Sequence, residues 1–221
     1  MNDVFAVIAA AGEGERFGEQ KQFVRLRGKE ILEHCLEVFE EHTEIDGIVL
    51  VLKDVTKEDF YKSRFKKIFA VVQGGNKRQE SVFSGLKVIS TREENLVLVH
   101  DGVRPLVTND LISRVLHAAR KHGAAIPVLP VVETVKRVQR EIVVETLDRR
   151  LLMRVQTPQG FHLKILKEAF DRARAEHFYG TDEASLVEKS GFKVFTVPGD
   201  PQNIKITTPL DVKFVEAFFV G

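Results

Sequence analysis

Short, unbroken apolar runs recur along this chain and alternate with stretches in which apolar residues follow helical spacing. The runs lie at residues 5–10, 48–52, 69–72, 96–99 and 124–128. Runs of this length without polar positions are typical of strands that are buried on both faces of a sheet. Between them, apolar residues recur every three or four positions, in groups that begin at Ile31, Val82 and Leu111. This alternation predicts an α/β, Rossmann-like fold whose mainly parallel sheet has helices on both faces.

Residues 131–150 interrupt the alternation. Here β-branched residues are mixed with charged ones, on either side of the polar sequence Gln139-Arg140-Glu141. The pattern predicts a protruding β-hairpin, which we call the arm. A two-stranded hairpin is marginally stable by itself in water. We therefore expect a second copy of the chain to cover the arm, in a homodimer.

The pattern after the arm returns to helices and a strand. Helices are predicted around residues 163–173 and 184–187, a strand at 193–197, and a closing helix at 210–218. Because no flexible linker or internal repeat divides the chain, we expect a single domain over residues 1–221, with an arm subdomain at about 131–150.

Composition and charge narrow the class of protein. The chain has 221 residues, with 33 Lys+Arg against 32 Asp+Glu and a net charge of +1. That balance argues against non-specific binding to nucleic acid or to an anionic membrane surface. Cys35 is the only cysteine, which excludes an intrachain disulfide. The apolar run at residues 4–11 is too short to span a bilayer and has no basic leader, so we predict a cytoplasmic protein with no membrane partner.

A glycine-rich loop at residues 10–21 directly follows the first predicted strand. Loops at the carboxyl ends of parallel strands bind ligands, and glycines let backbone N–H groups approach phosphate oxygens. Arg16 and Lys21 would supply positive charge. The loop is neither a Walker motif, because Lys21 is followed by glutamine, nor a dinucleotide fingerprint, because Phe17 replaces a required glycine. The alternative is a glycine turn with two solvated cations.

Two further clusters follow the third and fourth predicted strands. Residues 74–81 begin with two glycines and end at Ser81, and they could present backbone donors and acceptors to a base, or form an ordinary turn with Ser81 as a helix cap. Asp101 ends the fourth strand close to Arg104. This pair suits a Mg²⁺ ligand beside a phosphate clamp, or a structural ion pair. No zinc motif or Gly-x-Ser-x-Gly nucleophile elbow is present.

Taken in order, these clusters and several downstream segments closely resemble the 2-C-methyl-D-erythritol 4-phosphate cytidylyltransferase family of isoprenoid biosynthesis. The resemblance covers nearly the whole chain. Its segments are Ala10-Ala11-Gly12-x-Gly14-x-Arg16, Lys21-Gln22, Gly74-Gly75-x-x-Arg78-x-x-Ser81-Val82, His100-Asp101-x-x-Arg104-Pro105, Thr157-Pro158-Gln159, Thr181-Asp182-Glu183-Ala184-Ser185 and Asn203-Ile204-Lys205. The stretch between Arg16 and Lys21 is shorter than in the family pattern.

The resemblance implies a nucleotidyltransferase that uses CTP, a sugar-alcohol phosphate and Mg²⁺. It implies that Arg16 and Lys21 stabilise charge on the CTP phosphates, and that Arg149 and Lys205 position the substrate phosphate. The residues implied for CTP binding are Ala10, Ala11, Gly12, Gly14, Gly75, Asn76 and Ser81. Those implied for the substrate pocket are Asp101, Arg104, Thr134, Arg149 and Thr157, with Asp101 also at the Mg²⁺. Family members are homodimers that exchange arms, so Thr134 and Arg149 are expected to serve the neighbouring subunit's site.

The chemistry of such a reaction agrees with the residues. A phosphate monoester has a second pKa of about 6, so it is mostly dianionic at neutral pH and needs no general base. Arg, Lys and Mg²⁺ would stabilise the departing pyrophosphate. Two rivals remain open: a cytidylyltransferase for a pentitol phosphate such as ribitol 5-phosphate, and a non-catalytic nucleotide-sensing dimer. A nicotinamide-dependent oxidoreductase is disfavoured by the failed dinucleotide fingerprint.

Overall fold

The computed structural model describes residues 3–14, 17–90 and 95–219. Its strands are β1 (Val4–Ala10), β2 (Arg25–Leu26), β3 (Lys29–Glu30), β4 (Gly47–Leu52), β5 (Ile68–Gln73), β6 (Leu96–Asp101), β7 (Ala124–Pro130), β8 (Val135–Gln139), β9 (Ile142–Leu147), β10 (Met153–Val155), β11 (Gln159–His162) and β12 (Phe195–Pro198). Its α-helices are α1 (Ile31–Glu41), α2 (Glu58–Arg64), α3 (Arg78–Lys87), α4 (Asn109–His122), α5 (Leu163–Ala175), α6 (Glu183–Lys189) and α7 (Pro209–Ala217).

One eight-stranded sheet forms the centre of the molecule, and its main path runs β10-β7-β11-β6-β1-β4-β5. β1 pairs in parallel with both β4 and β6, and β4 pairs in parallel with β5. β11 lies between β6 and β7 and is antiparallel to both, so β6 and β7 run in the same direction as β1, β4 and β5. β10 continues along the same edge of β7, while β12 pairs in parallel with β7. The predicted mainly parallel α/β sheet is confirmed.

The sheet carries helices on both faces, as predicted. Alternate residues of β1 point to opposite faces, so Ala6 and Ile8 pack with buried residues of α1, α2 and α4. Val7 packs instead with buried residues of α3, α5 and α6. A third apolar cluster, which includes Val103 and Val215, joins α7 to the loop after β6. No helix in the described parts of the chain is long and apolar enough to cross a membrane.

Some elements lie outside the predicted pattern. β10 and β11 were not predicted, because β10 is exposed and β11 contains Gln159, Gly160 and His162 in four residues. The helix α2 and the small β2–β3 hairpin were also not predicted. The strand expected at residues 193–197 begins later, at Phe195. Each missed element is short, so the sequence offers little periodicity by which to detect it.

The arm is a separate two-stranded hairpin, β8–β9, outside the main sheet. Arg140 and Glu141 form its turn with φ values of 48° and 68°, the left-handed backbone that a two-residue hairpin turn requires. Apolar side chains of the arm are exposed, and Ile142 keeps 68% of its surface accessible. The predicted hairpin is confirmed, whereas its role in dimerisation stays a prediction.

Candidate active site

A cleft of about 530 Å³ opens at the carboxyl ends of β1, β4, β5 and β6, where the sequence predicted ligand binding. Residues from the predicted CTP, catalytic and substrate sets meet here. Its lining consists of Ala9, Ala10, Ala11, Gly12, Glu13, Gly14, Lys21, Gln22, Lys53, Gly75, Asn76, Lys77, Arg78, Ser81, Asp101, Val103 and Lys205. The strands therefore bring together residues that are up to about two hundred positions apart in the chain.

The loop after β1 is held in place by a buried glutamine. Gln22, 1% exposed, donates through Nε2 to the carbonyl oxygens of Ala10 at 2.9 Å and Gly12 at 3.0 Å. Gly14 has a φ of +76°, and a Cβ there would lie 1.8 Å from the carbonyl oxygen of Glu19. The chain folds back at this glycine and brings Lys21 into the lining, despite the shortened loop. Arg16 lies outside the described residues.

The loop after β5 packs closely on the first loop. A Cβ on Gly74 would lie 2.4 Å from the Cβ of Ala11, so glycine permits this approach. α3 begins at Arg78, and Ser81 therefore lies in its first turn and is neither its first residue nor its cap. The Ser81 hydroxyl donates to the carbonyl oxygen of Lys77 at 3.1 Å. Glu80 fixes the loop, since its Oε2 accepts from the backbone N–H of Asn76 at 2.9 Å.

Asp101 is the centre of a buried charge cluster at the end of β6. Its Oδ1 accepts from Arg78 Nε at 3.0 Å, and its Oδ2 lies 3.0 Å from Lys205 Nζ and 3.3 Å from Arg104 Nε. Burial by itself would raise the pKa of this carboxyl, but Arg78, Lys205 and Arg104 hold the pKa well below its usual range. Asp101 is therefore ionised at neutral pH, and it holds three cations at the back of the cleft.

Arg78 links this cluster to α6. Its Nη1 donates to Oε1 of Glu183 at 2.7 Å, while Nε holds Asp101. Glu183 is 1% exposed, and its second oxygen, Oε2, has no hydrogen-bond partner among the described residues. Burial raises the pKa of Glu183, and the attraction of Arg78 opposes that shift. Arg78 thus depends for its position on two carboxylates from distant parts of the chain.

Arg104 and Thr157 lie behind Asp101 and do not line the cleft. The Thr157 hydroxyl accepts from the backbone N–H of Asp101 at 3.1 Å and lies 3.1 Å from Nδ1 of His100. Arg104 donates through Nη1 to the carbonyl oxygen of Asn203 at 2.8 Å. Burial lowers the pKa of His100 to about 3, so the imidazole is neutral. In the described structure these groups support Asp101 from within the fold.

A Mg²⁺ ion does not fit the described arrangement of carboxylates. No group of three or more His, Cys, Asp or Glu side chains could hold a metal among the described residues. Both oxygens of Asp101 already accept from cations, so a metal there would have to displace Arg78 or Lys205. The other carboxylate in the described lining, Glu13, pairs with Lys53 at 2.7 Å. Metal binding by Asp101 stays a prediction that the geometry does not favour.

The predicted arm residues are not among the described residues that line the cleft. Thr134 and Arg149 are both exposed, at the beginning and end of the arm. The Arg149 guanidinium donates to the carbonyl oxygen of Val132 within the arm. Their predicted roles therefore require a second subunit, or a movement of the arm.

Comparison with known proteins places this geometry in a family. The family model described as "IspD: 2-C-methyl-D-erythritol 4-phosphate cytidylyltransferase" matches residues 4–220. The chain belongs to this family. A relative of that name from Halalkalibacterium halodurans is 44% identical over 217 residues, covering 96% of this chain and 94% of the relative. One from Bacillus velezensis is 44% identical over 218 residues, covering 96% and 93%.

Solved structures of family members share the fold. The 2-C-methyl-D-erythritol 4-phosphate cytidylyltransferase of Francisella tularensis aligns with a TM-score of 0.86 and 33% identity, over 98% of this chain and 99% of that chain. The Thermus thermophilus enzyme aligns with a TM-score of 0.82 and 32% identity, over 99% of each chain. The resemblance read from the sequence is confirmed. The pentitol phosphate enzyme and the nucleotide-sensing dimer are not favoured by these comparisons.

Several residues in the cleft or next to it had no role assigned by sequence reasoning. Arg78 was part of the family pattern, and its place at the first residue of a helix after a strand was a usable signal. Gln22 and Lys53 carry weaker signals, since Gln22 stands among other polar residues and Lys53 is the first polar residue after an apolar run. Glu183 lies 105 positions from Arg78 and could be assigned only once the fold was known.

Proposed function

We propose that this chain transfers a cytidylyl group from CTP to 2-C-methyl-D-erythritol 4-phosphate and releases pyrophosphate. Its family membership supports this reaction, since the matching relatives are named for it. An acceptor phosphate oxygen forms a bond to the α-phosphorus of CTP. The bond from that phosphorus to the oxygen that bridges to the β-phosphate breaks, and its electron pair leaves with pyrophosphate.

The observation that carries this proposal is the convergence of cations on one cleft. Lys21, Lys53, Arg78 and Lys205 line it from four different segments of the chain. Their charge offsets the repulsion between two polyanions and stabilises the charge that develops on the leaving group. No general base is needed, because the acceptor phosphate is already mostly dianionic at neutral pH.

Within this scheme the roles of all residues except Arg104 and Thr157 follow the sequence predictions. Lys21 acts on the triphosphate together with Arg16, and Lys205 positions the acceptor phosphate. The two glycine-containing loops hold the cytidine through Ala10, Ala11, Gly12, Gly14, Gly75, Asn76 and Ser81, all of which line the cleft. Asp101 fixes the cations and contributes to the acceptor pocket, and Arg104 and Thr157 hold Asp101 in place.

The proposal includes a homodimer that exchanges its arms. The exposed apolar side chains of β8 and β9 support it, because burial against a second subunit would remove them from water. In that assembly Thr134 and Arg149 of each subunit enter the partner's cleft. We further propose that the protein works in the cytoplasm and that turnover requires Mg²⁺, which the phosphates of CTP would hold in place of a cluster of carboxylates.

The decisive experiment measures pyrophosphate release from each of the four nucleoside triphosphates. Each is offered with a panel of acceptors that includes 2-C-methyl-D-erythritol 4-phosphate and ribitol 5-phosphate, with and without Mg²⁺. We expect release with CTP and methylerythritol phosphate in the presence of Mg²⁺. Release with ribitol 5-phosphate alone would support the pentitol enzyme. Binding of CTP without release under any condition would support a nucleotide sensor.

A further inference from the structure

A second groove, of about 460 Å³, lies between α3 and α5, apart from the residues that line the cleft. Its walls are aromatic and its edges are cationic. The lining residues are Gln79, Glu80, Phe83, Ser84, Lys87, Phe170, Ala173, Arg174, His177, Phe178 and Tyr179. The groove is nearly as large as the nucleotide cleft, and a flat organic molecule of moderate size would fit within it.

The aromatic rings of the groove hold cations at their faces. Phe83 stacks on Phe170, with ring centroids 5.7 Å apart. Lys87 Nζ lies 4.6 Å and the Arg174 guanidinium carbon 4.5 Å from the centroid of the Phe83 ring. Both cations are on exposed residues and keep N–H groups that can donate to a ligand. A flat apolar surface next to two cationic donors is suited to an organic anion with an aromatic or unsaturated body.

The groove and the nucleotide cleft use opposite faces of the same helix. Arg78 and Ser81 of α3 line the cleft, whereas Phe83 and Lys87 line the groove. Glu80 connects the two, because it lines the groove and its carboxylate accepts from the backbone of the loop that precedes α3.

Two further contacts join the loop after α5 to the N-terminal end of α3. Lys77 lines the cleft, and its Nζ lies 3.3 Å from the centroid of the Tyr179 ring in the groove. Gln79 bonds the carbonyl oxygen of Phe178 at 3.1 Å and the N–H of Gly180 at 3.0 Å. A ligand that shifts Phe178 and Tyr179 would therefore also change how the loop at residues 75–77 is held.

We propose that this groove is a second ligand site, for a small phosphorylated molecule with a flat apolar body, and that its occupancy is coupled to nucleotide binding. The apolar body packs on Tyr179 and on the face of Phe83 that the exposed side chains of Lys87 and Arg174 leave when they turn to the ligand. The phosphate accepts from Arg174 and Lys87. The coupling passes through Glu80 and Lys77 to the loop at residues 75–77, and it acts equally in both directions, as linkage requires.

The probe that tests the site is 1-naphthyl phosphate, with 1-naphthol as its uncharged counterpart, titrated by fluorescence in the absence of nucleotide. We expect the phosphate to bind at least tenfold more tightly than the naphthol. Arg174→Ala should weaken the phosphate about tenfold, the size expected for loss of a charge-assisted hydrogen bond. Arg172→Ala is the matched control, because Arg172 lies on the same helix, bonds Glu176 at 3.0 Å and does not line the groove.

A third variant separates the groove from the cleft. Lys205→Ala should leave the affinity for 1-naphthyl phosphate unchanged. Weakening by Lys205→Ala but not by Arg174→Ala would place the probe in the cleft and overturn the proposal, as would equal affinity for the phosphate and the naphthol. Melting temperatures of all three variants confirm that they are folded.

The coupling is tested by repeating the titration with CTP and Mg²⁺ at saturation. We expect the dissociation constant of 1-naphthyl phosphate to change about fivefold or more, and that of CTP to change by the same factor when the probe is saturating. If CTP leaves the dissociation constant of 1-naphthyl phosphate unchanged, and the probe leaves that of CTP unchanged, the coupling is refuted.

Discussion

The cleft and the arm differ in how much of their structure one chain can build. In the cleft, Asp101 is 5% exposed and three cations from three segments converge on it. In the arm, Ile142 is 68% exposed and Arg149 donates to a carbonyl oxygen of its own hairpin segment. The folded sheet thus gathers the cleft within one chain, whereas the arm leaves its apolar side chains exposed, as the proposed dimer would require. Four predictions test that difference: three on turnover, from the largest expected effect to the smallest, and one on stability.

The largest effect is expected in the cleft. Lys21→Ala and Lys205→Ala should each lower kcat/KM by about 10²–10³-fold, the loss seen when one donor to a developing charge is removed. Arg16→Ala should do the same. Steady-state kinetics of pyrophosphate release give the measurement, with Lys213→Ala on the exposed side of α7 as a control. Wild-type turnover in a variant would remove its residue from the mechanism.

The next prediction concerns the arm. Arg149→Ala should lower turnover by itself, and mixing it with Arg16→Ala should restore activity, because one site of each heterodimer combines an intact cleft with an intact arm. The expected recovery is about half of the wild-type activity per heterodimer, from the two-fold symmetry of the assembly. Differently tagged chains allow purification of verified heterodimers. If these stay inactive, the arm does not serve the partner's site.

A smaller effect is expected from Glu183→Gln, which keeps the shape but removes the charge that orients Arg78. We expect kcat/KM to fall about tenfold. The free energy of unfolding of this variant at neutral pH should not fall with its activity. Burial raises the pKa of Glu183, so the carboxyl favours folding below its unfolded pKa and loses that contribution as the pH rises through the folded pKa.

The glutamine variant should therefore be at least as stable as the wild type at neutral pH, and this advantage should shrink in acid. Denaturant unfolding at several pH values measures it. Glu188→Gln, on the exposed side of the same helix, is the control. A variant that loses both activity and stability at neutral pH would show that Glu183 is mainly a structural ion-pair partner.

The fourth prediction concerns stability, through His100. Burial lowers its pKa to about 3 from an ordinary 6.5, so between these values the unfolded chain binds a proton that the folded chain does not. The free energy of unfolding should therefore fall as the pH falls from about 6.5, by up to about 1.4 kcal/mol per pH unit. His100→Gln should reduce that slope in denaturant unfolding experiments. An identical slope in both proteins would contradict the buried neutral imidazole.

Much of the fold could be predicted because unbroken apolar runs mark the parallel strands. The same reasoning placed Asp101 at a strand end and Lys21 in the loop after the first strand, and both line the cleft. It did not find β11, since four residues with a glutamine, a glycine and a histidine carry no periodic signal. The insertion of β11 between β6 and β7 depends on tertiary pairing.

The site was predicted less completely than the fold. Residue type and motif order selected Asp101, Arg104 and Thr157, but not which of them face the cleft. That depends on side-chain direction, and Arg104 and Thr157 turn inward to the fold. The pairing of Arg78 with Glu183 needed three-dimensional proximity, which the spacing of one sequence does not reveal.

The route of the chain into and out of the arm connects the hairpin to Asp101. β7 leads to the arm, and the returning chain runs back through β10 and β11 to lie against β6, the strand that ends at Asp101. In this returning segment, the Thr157 hydroxyl accepts a hydrogen bond from the backbone N–H of Asp101. A displacement of the hairpin would therefore reach the backbone of Asp101, whose carboxylate lines the cleft, through the segment that carries Thr157.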